Sequence, residues 1–253
     1  TTLSVTRAVK PGDQVRWSGS EARAGVPILR SGERLDARRS ALLALAGVDR
    51  VLARPRPRAV VLSIAGDDRT RADVESPLLA AALKADGAQV WRVSNANGTD
   101  RELQDVISDQ LIRADIVVVS GELGAEAQLP RVVSSMGLTD LADVACQPGG
   151  RIGFAIVGDD EIPLIMLPNE AVAAYSGYQL FVRPLVRRLM GAPVVTRPTV
   201  NCLAGGEMRG REGVVSLQLG TVREQQGEKV VVPLGNPDHP RLSDLVSADA
   251  LVV

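Results

Sequence analysis

From residue 59 onward, unbroken apolar runs alternate with capped amphipathic segments, and few folds accept that pattern. Ala59-Val60-Val61-Leu62-Ser63-Ile64 reads as a strand without a polar face, the kind buried on both sides of a parallel sheet. Ser76-Pro77 opens a helix, with the serine as N-cap and the proline at the first helical position, and Gly87 closes it. Residues 88–93 are the next strand. Thr99-Asp100-Arg101-Glu102 is a capping box, and the helix behind it carries Leu103, Val106, Ile107 and Leu111 on one face. Residues 115–119 form a third buried strand, 153–157 and 164–167 two more, and a last helix runs over 171–190. Alternation at this spacing predicts an α/β fold: a doubly wound, mostly parallel sheet with helices on both faces.

Two segments flank this core. Residues 1–55 read as short strands and turns, with 15–17 as a strand candidate. One helix follows, capped by Asp36, running over 37–46 and stopped by Gly47. The stretch Arg54-Pro55-Arg56-Pro57-Arg58 breaks regular structure and marks a boundary. After Gly191-Ala192-Pro193 the alternation ends, and short β runs at 214–219 and 229–234 predict a small β-barrel or sandwich. Three domains are expected: 1–55, a partial dimerisation-type domain; 56–192, the α/β domain; and 193–253, the C-terminal barrel. The chain starts Thr1-Thr2 without Met and stops in an apolar run, as expected of part of a longer protein.

Composition removes several functions. The formal net charge is -1, from 29 basic and 30 acidic residues, so no basic stripe points to nucleic acid. Aromatics are 2 % of the 253 residues, which also removes base-stacking platforms. A single histidine, His239, excludes a multi-histidine zinc site. Cys146 and Cys202 have no metal-like spacing and read as buried free thiols. No apolar run is long enough to span a bilayer, so no membrane insertion is expected, and the simplest location is the cytoplasm.

In an open parallel sheet, ligands bind beyond the carboxyl ends of the strands. That rule selects the loops 65–69, 120–129 and 168–171, with 146–151 as a fourth. These loops, together with Arg7-Ala8-Val9-Lys10-Pro11-Gly12-Asp13, Ala114-Asp115-Ile116-Val117-Val118-Val119-Ser120-Gly121, Leu180-Phe181-Val182-Arg183-Pro184 and Ser247-Ala248-Asp249-Ala250-Leu251-Val252-Val253, resemble the molybdopterin molybdenumtransferase family, including the E domain of gephyrin. The resemblance covers nearly the whole chain. It implies a molybdopterin-binding-like fold and a reaction: insertion of molybdate into the dithiolene of adenylylated molybdopterin, with release of AMP. Such polyanions need backbone amides, cations, and carboxylates for a divalent metal such as Mg2+.

The loops depart from the family pattern. Its Ser-Thr-Gly-Asp-Glu-Leu stands here as Ser63-Ile64-Ala65-Gly66-Asp67-Asp68-Arg69, and its aspartate before Ser-Asn matches Asp73. Its Ser-Gly-Gly-Val-Ser-x-Gly becomes Ser120-Gly121-Glu122-Leu123-Gly124-Ala125-Glu126, with acids at two glycine positions. Its Lys-Pro-Gly-Lys-Pro becomes Gln147-Pro148-Gly149-Gly150-Arg151, without either lysine. Its Leu-Pro-Gly-Asn-Pro-Val-Ser becomes Leu167-Pro168-Asn169-Glu170-Ala171-Val172-Ala173.

Two functions follow from different classes. If the chain is an active transferase, Asp67, Asp68 and Asp73 are its catalytic carboxylates, with Asp67 and Asp68 as metal ligands. Ser120, Gly121, Pro148, Gly149, Arg151 and Pro168 then bind molybdopterin, and Arg151 or Arg69 replaces the lost lysines. Aspartates in such places also serve turns and helix starts. If the chain is a pseudoenzyme it needs no cofactor and acts as a homodimeric scaffold. The gephyrin resemblance implies a groove for a peptide tail of a receptor or a tubulin-like division protein, lined by Tyr175, Tyr178, Phe181 and Pro233. Tyr178 and Phe181, three apart, equally suit the core face of a helix. The loop losses favour weakened or absent catalysis.

Overall fold

The computed structural model describes residues 8–64, 72–93, 96 and 98–253. Contacts divide the chain into two units, Thr1–Arg54 and Pro55–Val253. In the first, helix α1 (Ala37–Leu45) is capped by the Asp36 carboxylate, which accepts the Arg39 amide at 2.9 Å. Gly47 then takes φ +75°, a backbone state that suits glycine, and ends the helix. Leu43 is the buried hydrophobic of this unit among the described residues, while Leu45 and Trp17 are exposed. Residues 15–17, expected as a strand, follow a turn in which the Val15 amide donates to the Gly12 carbonyl, and form no ladder among the described residues.

The second unit opens with β1 (Arg58–Ser63), α2 (Glu75–Ala85), β2 (Gln89–Val93), α3 (Asp100–Leu111) and β3 (Ile116–Gly121). It continues with α4 (Gln128–Met136), β4 (Gly137–Asp143), β5 (Cys146–Gln147), β6 (Arg151–Val157) and β7 (Ile162–Pro168). Helix α5 (Ala171–Gly177), a π turn (Tyr178–Val182) and α6 (Arg183–Leu189) complete the α/β part. The sheet order is β2-β1-β3-β7-β6-β4. The first four strands are parallel, whereas β6 runs antiparallel to both neighbours.

Both faces are covered, as the unbroken apolar strands require. Val60, Leu62, Val117 and Val119 pack with Leu103 and Ile107 of α3 and Val132 and Val133 of α4. Ala59, Val61, Val118 and Leu167 pack on the other face with Leu79 and Leu83 of α2 and with Tyr178, Val182 and Val186. A fully buried Leu or Ile contributes about 1.5–3 kcal/mol relative to exposure, so these two layers dominate stability. At the end of the arginine stretch Arg58 joins the sheet, and its guanidinium holds Asp115 at 2.8 Å.

Two local expectations are corrected. Ser76 does not cap α2; the helix starts at Glu75, and Asp73 accepts both the Ser76 amide (3.0 Å) and the Ser76 hydroxyl. A carboxylate three residues upstream is the better acceptor for that amide. The final helix is not uniform: the Arg183 amide reaches the Tyr178 carbonyl across a π turn. Pro184 explains this, because it lacks an N–H and its ring crowds the preceding turn. Beyond these, α4 starts at Gln128, inside the end of the expected loop 120–129, and the rest of α4 and β4 occupy residues given no element in the sequence analysis.

The last segment holds β8 (Leu203–Ala204), β9 (Val215–Ser216), β10 (Gln218–Gln225), β11 (Glu228–Pro233), α7 (Leu242–Ser247) and β12 (Ala250–Val252). Four of the strands form a sheet in the order β12-β10-β11-β8. Its edge strands β12 and β8 do not pair with each other among the described residues, so the ladder is open where a barrel would close. Gln226 and Gly227, both at positive φ, make the two-residue turn between β10 and β11.

Candidate functional site at the carboxyl edge of the sheet

From β1 the chain crosses over α2 to β2 on one side, then over α3 to β3 on the other. The strand order therefore reverses between β1 and β3, and their carboxyl ends flank the crevice where such sheets take ligands. Ser63 and Ser120 stand opposite each other there, and the Ile64 amide donates to the Ser120 carbonyl at 2.9 Å. Ser120 is buried and its hydroxyl has no partner among the described residues. Gly121 pairs with Pro168 of β7, and a side chain on Gly121 would meet Leu129 Cδ2 at 2.9 Å. Because β6 is antiparallel, Arg151 at its start lies at this same edge, opposite Asp143 of β4. The structure thus brings Ser120, Gly121, Arg151 and Pro168 to one edge.

Arg151 does not reach outward as a free anchor. Its Nε donates to the Leu123 carbonyl at 2.6 Å, and its Nη1 lies 3.6 Å from Asp143 Oδ1. Leu123 is buried, and this contact ties down the loop that carries Glu122 and Glu126, both exposed. Pro148 and Gly149 are buried, and Gly149 lies close against α5: a side chain on it would meet the Ala173 carbonyl at 2.6 Å. Gly150 is more confined still, since any Cβ would collide with the carbonyl oxygens of Val144 and Cys146. A lysine cannot stand there without remodelling this loop.

The start of α4 is equally committed. Arg131 grips Asp100 of α3 through Nε and Nη2, each at 2.9 Å, and its Nη1 donates to the Glu126 carbonyl at 3.3 Å. Gln128 donates to the Gly98 carbonyl and to Asp100. The Arg131 hydrogen bonds hold the Asp100 carboxyl below the usual range, and the Arg131 cation at this helix start is thereby already paired.

Asp67, Asp68 and Arg69 lie outside the described residues. Asp73 is at the start of α2, with its carboxylate engaged by Ser76. Among the described residues no three His, Cys, Asp or Glu side chains converge as a metal site. Cys146 and Cys202 are free and half-buried rather than buried, and burial pushes the Cys146 thiol up.

The groove residues separate. Tyr178 is fully buried in the core, where its hydroxyl donates to Asp86 Oδ2 at 2.6 Å, so it cannot wall a groove. Phe181 is half-buried and packs against the same core, and Tyr175 is half-buried on α5. Pro233 ends β11, opposite Gly220. Sequence reasoning missed Asp86 and Arg183, which form a buried ion pair at 3.1 Å beneath Tyr178. No single-residue pattern signals such a pair, because Asp86 reads as an ordinary residue before the helix-closing Gly87.

Among the described residues no helix is long and apolar enough to cross a membrane. No protein-family model matches the chain. It is 34 % identical to molybdopterin molybdenumtransferase 1 of Mycobacterium tuberculosis over 99 % of its own length and 63 % of that protein. It is 25 % identical to molybdopterin molybdenumtransferase 2 of the same organism, over 99 % of its length and 65 % of the relative. A solved molybdopterin biosynthesis protein from Pyrococcus horikoshii shares the fold with a TM-score of 0.69 at 16 % identity, over 98 % of this chain and 62 % of that one. The chain thus spans somewhat less than two thirds of these relatives. On sequence along nearly all its length, and on fold, it is a homologue of the molybdopterin molybdenumtransferases.

Proposed function

We propose that this chain is a molybdopterin molybdenumtransferase homologue whose transferase reaction is weakened or lost, leaving the α/β unit as a binding scaffold. The observation that carries this reading is the engagement of Arg151. The basic side chains described at the carboxyl edge, Arg151 and Arg131, are both engaged: Arg151 holds Leu123 and Asp143, and Arg131 holds Asp100. Glu122 and Glu126 face solvent in the neighbouring loop, and Gly150 has no room for a cationic side chain. A charge-assisted hydrogen bond contributes about 1.5–3 kcal/mol. Two missing anchors therefore weaken an anion by roughly two to four powers of ten.

Molybdopterin is the ligand in the relatives' names, and molybdate and Mg2+ are what the family resemblance implies beside it. Asp67 and Asp68, which the resemblance implies as the metal ligands, lie outside the described residues, and among the described ones Asp73 accepts from Ser76. No step through a metal is therefore derived. A homodimer remains part of the proposal. A peptide partner would have to rely on Tyr175, Phe181 and Pro233, since Tyr178 is in the core.

Calorimetric titration with AMP and with sodium molybdate tests the reading. The expected result is no binding tighter than about 1 mM; a micromolar Kd for either overturns it. The second reading, an active transferase with altered loops, is favoured by the 34 % identity to a named transferase along 99 % of the chain. Restoration of molybdoenzyme activity in transferase-deficient cells by the full-length protein would establish it.

A further inference from the structure

The loop 144–150 carries Pro148 and Gly149 and leads into Arg151, yet it holds itself by little. Within it, the Val144 amide donates to the Gly150 carbonyl at 2.8 Å and the Cys146 amide to the Val144 carbonyl at 2.6 Å. Its outer support comes from far along the chain. Strand β9 pairs in parallel with β5, matching Cys146 with Val215 and Gln147 with Ser216. The Val215 amide donates to the Ala145 carbonyl at 2.8 Å, and the Leu217 amide to the Gln147 carbonyl at 2.7 Å. Leu217 is buried and leads directly into β10 of the last sheet, so β9 is anchored at its far end. Beyond the loop, Arg151 passes the constraint to the Leu123 carbonyl and hence to the acidic loop.

We infer that β9 is a strap by which the C-terminal sheet positions the carboxyl-edge site: it fixes the loop 144–150, and Arg151 relays that order to residues 122–127. Val215 and Leu217 are positioning residues acting through their backbone amides. Two features make this a transmitted constraint. Pro148, Gly149 and Gly150 are all buried, Gly149 close against α5 and Gly150 against the loop's own carbonyls, so the loop has little room to rearrange internally. Arg151 then links that loop to Leu123 by a single short hydrogen bond. The inference concerns the order of the site and holds whether or not the site binds an anion.

The test is amide hydrogen exchange on the full chain. Val215 is 48 % exposed, so Val215→Pro deletes chiefly one amide donor, while Val215→Ala keeps it. Val215→Pro is expected to raise exchange at Val144 and over 122–127 by roughly two- to tenfold, as for one lost backbone hydrogen bond, with β1 and β3 unchanged. Val215→Ala is expected to match the parent. Arg151→Ala is expected to free 122–127 alone, and Arg151→Lys, which keeps a donor, to restore it. Confinement of the Val215→Pro effect to 213–217 overturns the inference. Should that variant unfold, the unaltered protein decides: under mild denaturant the Val144, Val215 and Leu217 amides open with one shared dependence. Separate openings overturn the strap.

Discussion

Asp86 lies at the end of α2 with its side chain 7 % exposed, and it accepts from two buried donors. Tyr178 donates to it at 2.6 Å and Arg183 at 3.1 Å, and Arg197 stands 4.0 Å away. Asp86→Ala removes both acceptors while leaving the Arg183 side chain, 8 % exposed, with only the Val195 carbonyl at 2.7 Å. Breaking a buried pair from one side costs about 3–5 kcal/mol, because the remaining charge is uncompensated. For a unit of this size that lowers Tm by about 6–20 °C. Tyr178→Phe removes one hydrogen bond to a charged group, for about 1.5–3 kcal/mol. The double variant is expected to lose less than the sum, since the Tyr178 bond is already absent without Asp86. Burial, and then the Asp86 hydrogen bond, push the Tyr178 phenol well above its usual value near 10. A raised folded value means its contribution is complete below pH 10 and falls as pH rises beyond it. Urea unfolding followed by circular dichroism, repeated from pH 7 to alkaline pH, measures both effects. A loss below about 1 kcal/mol for Asp86→Ala, or an alkaline limb unaltered by Tyr178→Phe, refutes the reasoning.

Two further outcomes follow. Asp115→Asn is expected to cost no more than about 1 kcal/mol, since the Arg58 pair is partly exposed. The Arg58 hydrogen bond lowers the Asp115 carboxyl; its contribution is therefore present above the usual carboxylate pKa and lost as pH falls below it. Thermal melts from pH 7 to pH 2 should show a flatter acid limb in the variant. Gly150→Ala is expected to destabilise by about 1–3 kcal/mol or more through its clash with the Val144 and Cys146 carbonyls, with Gly124→Ala, in open surroundings, as a near-neutral control in the same melt.

The α/β class was legible because β1 and β3 are apolar on both faces and the Thr99 and Asp36 caps are local signals. Helix α4 was not. Leu129, Val132, Val133 and Met136 do recur at helical spacing, but Pro130 looks like a breaker unless it is known to sit in the first turn. Strand β4 follows α4 without a loop, at Gly137, so no turn residues announced it. In the last segment the apolar run expected at 214–219 stops just inside β10, which continues to Gln225 through Gly220, Thr221 and the exposed charges Arg223 and Glu224. At the site, the sequence showed which residue types were missing from the loops. It did not show that Arg151 is bound to Leu123 or that Tyr178 lies inward, because both depend on partners far away in the chain.

The π turn has a consequence for phase. Tyr178 and Arg183 are five residues apart, and at about 100° per residue an ordinary helix would point them some 140° from each other. The wider turn gathers them, so both meet the one Asp86 carboxylate. One residue fewer between 178 and 182 would leave a smoother helix. It would also turn Arg183 and all of α6 by about a quarter of a revolution against the sheet, taking Val186 off the core and Arg183 away from its acid. The irregularity is thus a register mark: it sets the angle at which the chain leaves the α/β layers for its final sheet.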